Sequence, residues 1–313
     1  MEKVEDFSSR PSFGVALKVG AILLFTTMAA IIKSIADEVP AGEAVFFRSF
    51  FAIPVILVWL WQRGQLSVGL KAQNPMGHVW RGLFGTIAMG LTFSGLGLLP
   101  LPEVTAIGFA TPIFTVALAA ILLGEKVRIF RLAAVGIGLL GVMIILWPRF
   151  SHIGTMEQTA TIGALLILIA TLMRSLVQIH IRQLVQTEHT AAIVFYFSAT
   201  ASLLALLTLP FGWVVPTPGT FGMLVLAGLV GGIAQILVTS AYRFGSASML
   251  APYDYTSMIF AIFIGYFVFE ELPTLVMLCG AMLVIGAGGL VIWRERQLGV
   301  ERGKVRSVTD PKA

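Results

Sequence analysis

The chain has 313 residues, of which 57% are hydrophobic and only 12% charged, with a net charge of +5 and a mean hydropathy of +0.92. A water-soluble domain carries about twice that charged fraction. The composition therefore excludes an ordinary soluble fold and points to a polytopic membrane protein.

Apolar runs of membrane-spanning length, roughly 17 to 25 residues, recur along the chain between short polar breaks. They predict spans at Val15–Ile35, Ala44–Trp61, Trp80–Leu99, Val104–Leu123 and Leu132–Trp147. The second half predicts Ile162–Ile181, Ala191–Leu209, Phe221–Tyr242, Met249–Phe269 and Leu275–Trp293. Continuous runs of this length are helices, because a membrane barrel would alternate over about ten residues. The fold class is thus all-α integral membrane, with ten transmembrane helices, five in each half. The polar ends, Met1–Ser12 and Arg296–Ala313, are expected to be disordered. "MEKVEDF" is acidic and no small-residue cleavage site follows, so the first apolar run reads as a span rather than a cleaved leader. The single cysteine, Cys279, excludes an intramolecular disulfide or a cysteine metal cluster.

Basic residues set the expected orientation. With a cytoplasmic N-terminus, 17 of the 21 Lys and Arg flank the spans on the cytoplasmic side, Lys18 and Arg81 among them. Arg149 stands alone outside, and Lys33, Arg48 and Arg174 fall within spans. The positive net charge belongs to this asymmetry and to the basic tail, so no nucleic-acid partner is expected.

An internal repeat runs at a constant offset of 146 residues. It pairs Gly85 with Gly231, Ala88 with Ala234, Ser94 with Ser240, Phe114 with Phe260, Glu125 with Glu271 and Trp147 with Trp293. Each half has an odd number of spans, so the second half enters the bilayer inverted. Such inverted repeats place a substrate site near the midplane between the halves. The expected units are a cytoplasmic tail 1–12, repeat one 13–148, a connecting loop 149–161, repeat two 162–294 and a basic cytoplasmic tail 295–313.

The stretches "PLPEVTAIGFATPIFTVALAAILLGEKV" and "AQILVTSAYRFGSASMLAPYDYTSMIFAIFIGYFVFEEL" resemble the paired domains of the drug/metabolite transporter superfamily, EamA type. The resemblance rests on "LLGE" ending at Glu125, its counterpart "VFEE" ending at Glu271, "FFRS" with Arg48, and "AP" before Tyr255. The chain departs from the pattern at Glu270, which replaces a glycine, and at Met258, the mate of Pro112. The resemblance implies movement of a small metabolite across the inner membrane. "RGLFGTIAMGLTFSGLGLLPLPEVTAI" is similar to members linked to riboflavin uptake and to S-adenosylmethionine uptake, and amino-acid exporters share the fold.

Chemistry inside the spans is readable without that likeness. At 3.6 residues per turn Asp254, Ser257, Ala261 and Gly265 form one stripe of the ninth helix, matched in the fourth by Gly108, Thr111, Thr115 and Ala119. Such a stripe is a packing seam or a cavity wall, and a carboxylate favours the wall. Arg48 and Arg174 lie too deep to snorkel, whereas Lys33 is nearer the outer end. Arg174 is either the structural partner of Asp254 or a substrate contact. Gln235 offers hydrogen bonds to substrate or between helices. Tyr253 and Tyr255 flank Asp254 and serve packing or stacking on an aromatic substrate. The candidate substrate-binding set is Asp254, Arg48, Arg174, Gln235, Tyr253, Tyr255, Ser257 and Lys33.

No Walker loop, HExxH or GxSxG motif is present, and His78, His152, His180 and His189 lack metal-ligand spacing. No enzyme activity, metal or cofactor is expected. The expected partners are a small-molecule substrate and the lipid bilayer, with a homodimer left open. The expectation is a secondary transporter working by alternating access, riboflavin import first. S-adenosylmethionine uptake or metabolite efflux is the alternative, and a membrane scaffold or receptor the non-transport reading.

Overall fold

A computed structural model describes residues 11–111, 113–115, 118, 129–151, 155–244 and 250–308. The first half contains α1 (Pro11–Ser34), α2 (Ala41–Gln62), α3 (Pro75–Leu96), α4 (Leu101–Gly108) and α5 (Ile129–Ser151). The second contains α6 (Thr155–Thr187), α7 (Thr190–Leu206), α8 (Pro218–Phe244), α9 (Thr256–Phe269) and α10 (Leu275–Val308). A 3₁₀ turn, Ala251–Tyr255, precedes α9. Pro112, Ala119 and the "LLGE" run to Glu125 lie outside the described residues.

Four helices have spanning length and hydropathy taken singly: Ser12–Ser34, Ala41–Gln62, Gln158–Val185 and Pro218–Ala241. Shorter apolar stretches at Gly136–Ile145, Thr190–Leu206, Tyr253–Phe269 and Leu275–Leu290 complete much of the set. Proline punctuates the starts. Pro40 and Pro100 precede α2 and α4, and Pro75 opens α3, where the Asn74 side chain accepts the Gly77 amide at 3.0 Å. Large apolar side chains such as Trp61, Phe211, Val215 and Leu275 face outward. That is costly in water and favourable against lipid tails. Ile32, Leu96, Leu99, Leu101, Ile107 and Ile167 are almost fully buried in the principal core.

Packing follows the repeat. α1 packs on α8 as α6 packs on α3, and α2 packs on α8 as α7 packs on α3. The mates α2 and α7, α4 and α9, and α5 and α10 pack on each other. At residue level the close approach of Gly138 to Ala287 is mirrored, at the same offset, by that of Gly141 to Val284. α4 ends at Gly108 with Phe109 as its cap, and the 3₁₀ turn ends at Tyr255, the residue 146 positions on. These two rings meet edge to face with centroids 5.2 Å apart. Repeat mates that touch mark the pseudo-two-fold axis. The fold is all-α integral membrane, built as two inverted five-helix repeats.

The structure corrects three expectations. The C-terminal segment past Arg296 continues α10 through Val308, since "RERQL" supplies strong helix formers. Asp254 lies in the 3₁₀ turn, so the single 3.6-residue stripe drawn from it through Gly265 is broken at Tyr255. Lys18 and Arg81, counted with the cytoplasmic flanks, are 4% and 5% exposed inside the bundle.

Candidate functional site

The end where α1 starts is called inner and the opposite one outer, after the orientation expected from the basic residues. Near the inner end, Pro252 opens the 3₁₀ turn that presents Asp254 toward α1. Its Oδ1 lies 2.7 Å from Nζ of Lys18, whose side chain is 5% exposed while that of Asp254 is 42% exposed. Of the two readings open for Arg174, partner of Asp254 or substrate contact, the first is not the ion pair observed, which is with Lys18.

Arg174 is nevertheless close enough to feel the charge of Asp254. Its Nη2 donates to Thr92 Oγ1 at 3.1 Å, and Gly108 leaves space beside its Nη1. Below it on α6, Gln178 Oε1 accepts from Thr115 Oγ1 at 3.3 Å, and Ser175 Oγ donates to the Thr111 carbonyl at 3.0 Å. Asp254, Lys18, Arg174 and Thr92 thus form a polar cluster contributed by both repeats, with Gln178 one turn further along α6. Ser257 and Tyr253 stay beside it, although the Ser257 hydroxyl donates locally to the Asp254 carbonyl at 2.7 Å. Tyr255 turns to Phe109 and to Gly288, and its hydroxyl is buried without a partner.

Lys33 is not in this group. It stands at the outer end of α1, where its Nζ lies 3.0 Å from Glu271 Oε1 and donates to the carbonyls of Leu99 at 2.7 Å and Leu96 at 3.2 Å. Glu271 Oε2 accepts the Leu101 amide at 2.8 Å, at the N-terminus of α4, where an anion is favoured. Glu270 takes a left-handed conformation, φ 56°, and lets the Glu271 amide return to the Gly265 carbonyl at 2.9 Å. One lysine and one glutamate thereby clamp α1, α3, α4 and the end of α9. The repeat mate of this clamp would centre on Glu125, outside the described residues.

Arg48 and Gln235 form a third location. Arg48 is buried in α2 against Gly231 of α8, and Gln235, one turn further along α8, is half-buried with no side-chain hydrogen bond among the described residues. The phenylalanines around Arg48 in sequence, Phe46, Phe47, Phe50 and Phe51, stack with Trp213 and Phe221 at the outer end instead of with it. Sequence reasoning passed over the aromatic residue that does contact Arg48, Phe197 of α7. Its signal was its repeat mate, Phe51.

Three acidic residues, also unforeseen, fasten the loops. At the outer end Glu43 accepts the Val214 amide at 3.0 Å, and Glu38 pairs with Thr220. At the inner end Glu188 accepts the amides of Gln73 at 2.7 Å and Asn74 at 2.5 Å and lies 3.4 Å from His78 Nε2. Burial pushes the Glu188 carboxyl up, but the two amides and His78 outweigh it and hold the group below its ordinary value.

Comparison with known proteins agrees with this architecture. The EamA-like transporter family matches residues 12–147 and again 161–293, one match per repeat. The pseudopaline exporter CntI of Pseudomonas aeruginosa (strain UCBPP-PA14) is 31% identical over 277 residues, covering 88% of this chain and 94% of that protein. The S-adenosylmethionine uptake transporter of Rickettsia prowazekii (strain Madrid E) is 26% identical over 265 residues, covering 85% of this chain and 87% of that protein. A solved crystal structure superposes with a TM-score of 0.64 over 92% of this chain and 99% of its own, and at 22% identity it speaks for the fold alone. This chain belongs to the EamA-like transporter family of the drug/metabolite transporter superfamily, and is a transporter rather than an enzyme.

Proposed function

We propose that the protein is a secondary transporter working by alternating access, and that its substrate is a small metabolite with an amino-acid-like charged head. The carrying observation is the polar cluster between the repeats, which holds an exposed carboxylate, Asp254, and a guanidinium, Arg174, near each other's fields. Groups of both signs suit a zwitterion: the carboxylate takes an ammonium and the guanidinium a carboxylate. A wholly neutral ring system would leave that pair of charges unused.

S-adenosylmethionine, an α-amino acid joined to adenine, is the compound to test first. Riboflavin, first in the sequence reading, ranks behind it, because the relatives named above move other compounds and its ring carries no such head. Asp254, Ser257, Arg174 and Tyr253 are the proposed substrate contacts at the inner end, with Lys33 serving the outer clamp and Tyr255 the axis between the repeats. The test is uptake into proteoliposomes holding the purified protein, with labelled S-adenosylmethionine and labelled riboflavin run in parallel. Saturable S-adenosylmethionine uptake, abolished by Asp254→Asn, is the expected result. Uptake of riboflavin alone would reverse the ranking, and uptake of neither would remove the amino-acid-like substrate class if labelled free amino acids also failed.

A further inference from the structure

Two cations buried in the bundle have no anion among the described residues. Arg48 of α2 and Arg81 of α3 are 3% and 5% exposed. The Nε and Nη1 atoms of each are buried without a hydrogen-bond partner, and neither residue forms an ion pair among the described residues. Both guanidinium groups sit on one ring: the Cζ atoms of Arg48 and Arg81 lie 5.6 Å and 4.0 Å from the centroid of Phe197. They are close enough for the charge of Arg48 to act against that of Arg81.

Their placement is central. Arg48 lies about 10 Å along α2 from its outer start, and Arg81 about 9 Å along α3 from its inner start, so the two long side chains converge from opposite ends. Phe197, where they meet, is in the middle of α7. The repeat makes the room: Gly85 and Gly231 are mates, a Cβ on Gly85 would collide with Arg81 Nη1 and the Phe197 ring, and one on Gly231 would stand 3.0 Å from Arg48 Nε. Ser49 and Ser198, the sequence neighbours of Arg48 and Phe197, also carry buried hydroxyls without partners.

A ring face offsets only part of what it costs to take a guanidinium out of water, and two like charges on one ring add repulsion. A structural arginine inside a membrane bundle is held by a carboxylate or by backbone carbonyls. Among the described residues neither holds Arg48 or Arg81. The Lys18–Asp254 pair and Arg174, by contrast, already have protein partners. Buried donors without acceptors, at the midplane between inverted repeats, are completed by an arriving anion, and the guanidinium fork matches a carboxylate. We propose that Arg48 and Arg81, gathered on the ring of Phe197, bind a carboxylate borne by the transported metabolite. This rests on the transporter reading above and adds a second anchoring point to it.

The test uses the purified full-length protein in chloride-free detergent buffer and follows thermal unfolding. Sodium benzoate is the probe, benzamide its neutral isostere and sodium chloride the inorganic anion. Benzoate should raise the midpoint saturably, by at least ~3 °C at a hundredfold excess over its Kd. Benzamide and chloride should not, and an Arg48→Met/Arg81→Met protein, which keeps the aliphatic stems, should lose the benzoate shift. The unliganded double variant should melt no lower than the wild type, because an unpaired buried charge has been removed. The proposal falls if benzoate gives no shift, if benzamide matches it, or if the shift survives in the double variant. An equal chloride shift would assign the site to an inorganic ion and overturn the substrate carboxylate. A double variant that melts lower or does not fold would mark the arginines as structural and overturn the proposal too. None of these readings uses flux, so a negative S-adenosylmethionine uptake assay leaves this result standing, and the reverse holds.

Discussion

Lys33 and Lys18 stand at opposite ends of the same helix, each paired with a carboxylate that follows or precedes α9, and the two ends are built differently. The outer pair is sheltered on both sides, with side chains 13% and 16% exposed, and is tied to three backbone groups, in α3, in α4 and in the turn between them. The inner pair has a buried lysine but a carboxylate 42% exposed. A charge network that joins four helices resists separation, whereas a carboxylate open on one side exchanges more readily with water or substrate. The outer pair is therefore the more shielded of the two, and the inner carboxylate the more open to exchange.

The largest expected effect breaks the inner pair. Asp254→Asn keeps shape and hydrogen-bonding capacity but removes the charge that faces the opening, and uptake should fall at least tenfold with membrane expression retained. The same change removes the anion 2.7 Å from the buried Lys18 ammonium, so some stability should also be lost. Adding Lys18→Met should not restore the flux. Wild-type uptake by Asp254→Asn from pH 5 to 8 would deny the carboxylate a transport role. Recovery of flux in the double variant would reduce the pair to a structural tie.

A somewhat smaller effect should follow from breaking the outer clamp. Lys33→Met leaves Glu271 with the Leu101 amide only and removes the links to the Leu96 and Leu99 carbonyls. A lost charge-assisted bond of this partly buried kind costs about 1.5 to 3 kcal/mol. The readout is accessibility: a single cysteine at Ser94, in a Cys279→Ser background, should react several-fold faster with an impermeant thiol reagent applied outside once Lys33 is replaced. Unchanged reactivity would mean that the apolar contacts at this end, Pro102 on Gly265 among them, hold the helices together without the charges.

Much of the fold was legible because lipid imposes a simple rule on sequence: a run must be apolar and long enough. The repeat was legible because glutamate, tryptophan and glycine recur at a fixed offset among otherwise interchangeable apolar residues. What linear hydropathy could not give was burial. Lys18 and Arg81 fall about two turns into their helices, near where the apolar runs begin, and so read as cytoplasmic flanks, though packing carries both into the bundle. The helical period also could not foresee the breaks at Phe109 and Tyr255, the two residues whose rings meet at the axis. Glu271 was visible as one of a pair of rare residues. Its partner Lys33 was visible too, but their meeting depends on α9 ending beside α1.

The inner loop gives a milder effect that depends on pH. The Glu188 carboxyl is held below its ordinary value of 4.5, so its ionised form is favoured in the folded protein. Its stabilising contribution is full above that ordinary value and is lost as pH falls through the lowered folded one. The thermal midpoint of the wild type should therefore drop more steeply below pH 4.5 than that of Glu188→Gln, and the two curves should converge at the acid end. Parallel curves would mean that Glu188 does not couple the 73–78 segment to α6 and α7.

The smallest expected effect concerns the axis where the two halves touch. Tyr255 packs its ring on Phe109, but its hydroxyl is buried with no partner. An unsatisfied buried hydroxyl costs about 1 to 3 kcal/mol, which removal returns, less whatever the oxygen gains by filling space beside Gly288. Tyr255→Phe should accordingly change stability by no more than ~1 kcal/mol, in the stabilising direction, with uptake near wild type. Tyr255→Ala removes the ring itself, and large-to-small changes of this kind cost about 3 to 5 kcal/mol in a packed core. The pair of variants separates ring from hydroxyl. If Tyr255→Phe abolishes uptake at unchanged stability, the hydroxyl has a partner during the transport cycle, such as the charged head of the substrate, and the axis residue belongs to the inner cluster after all.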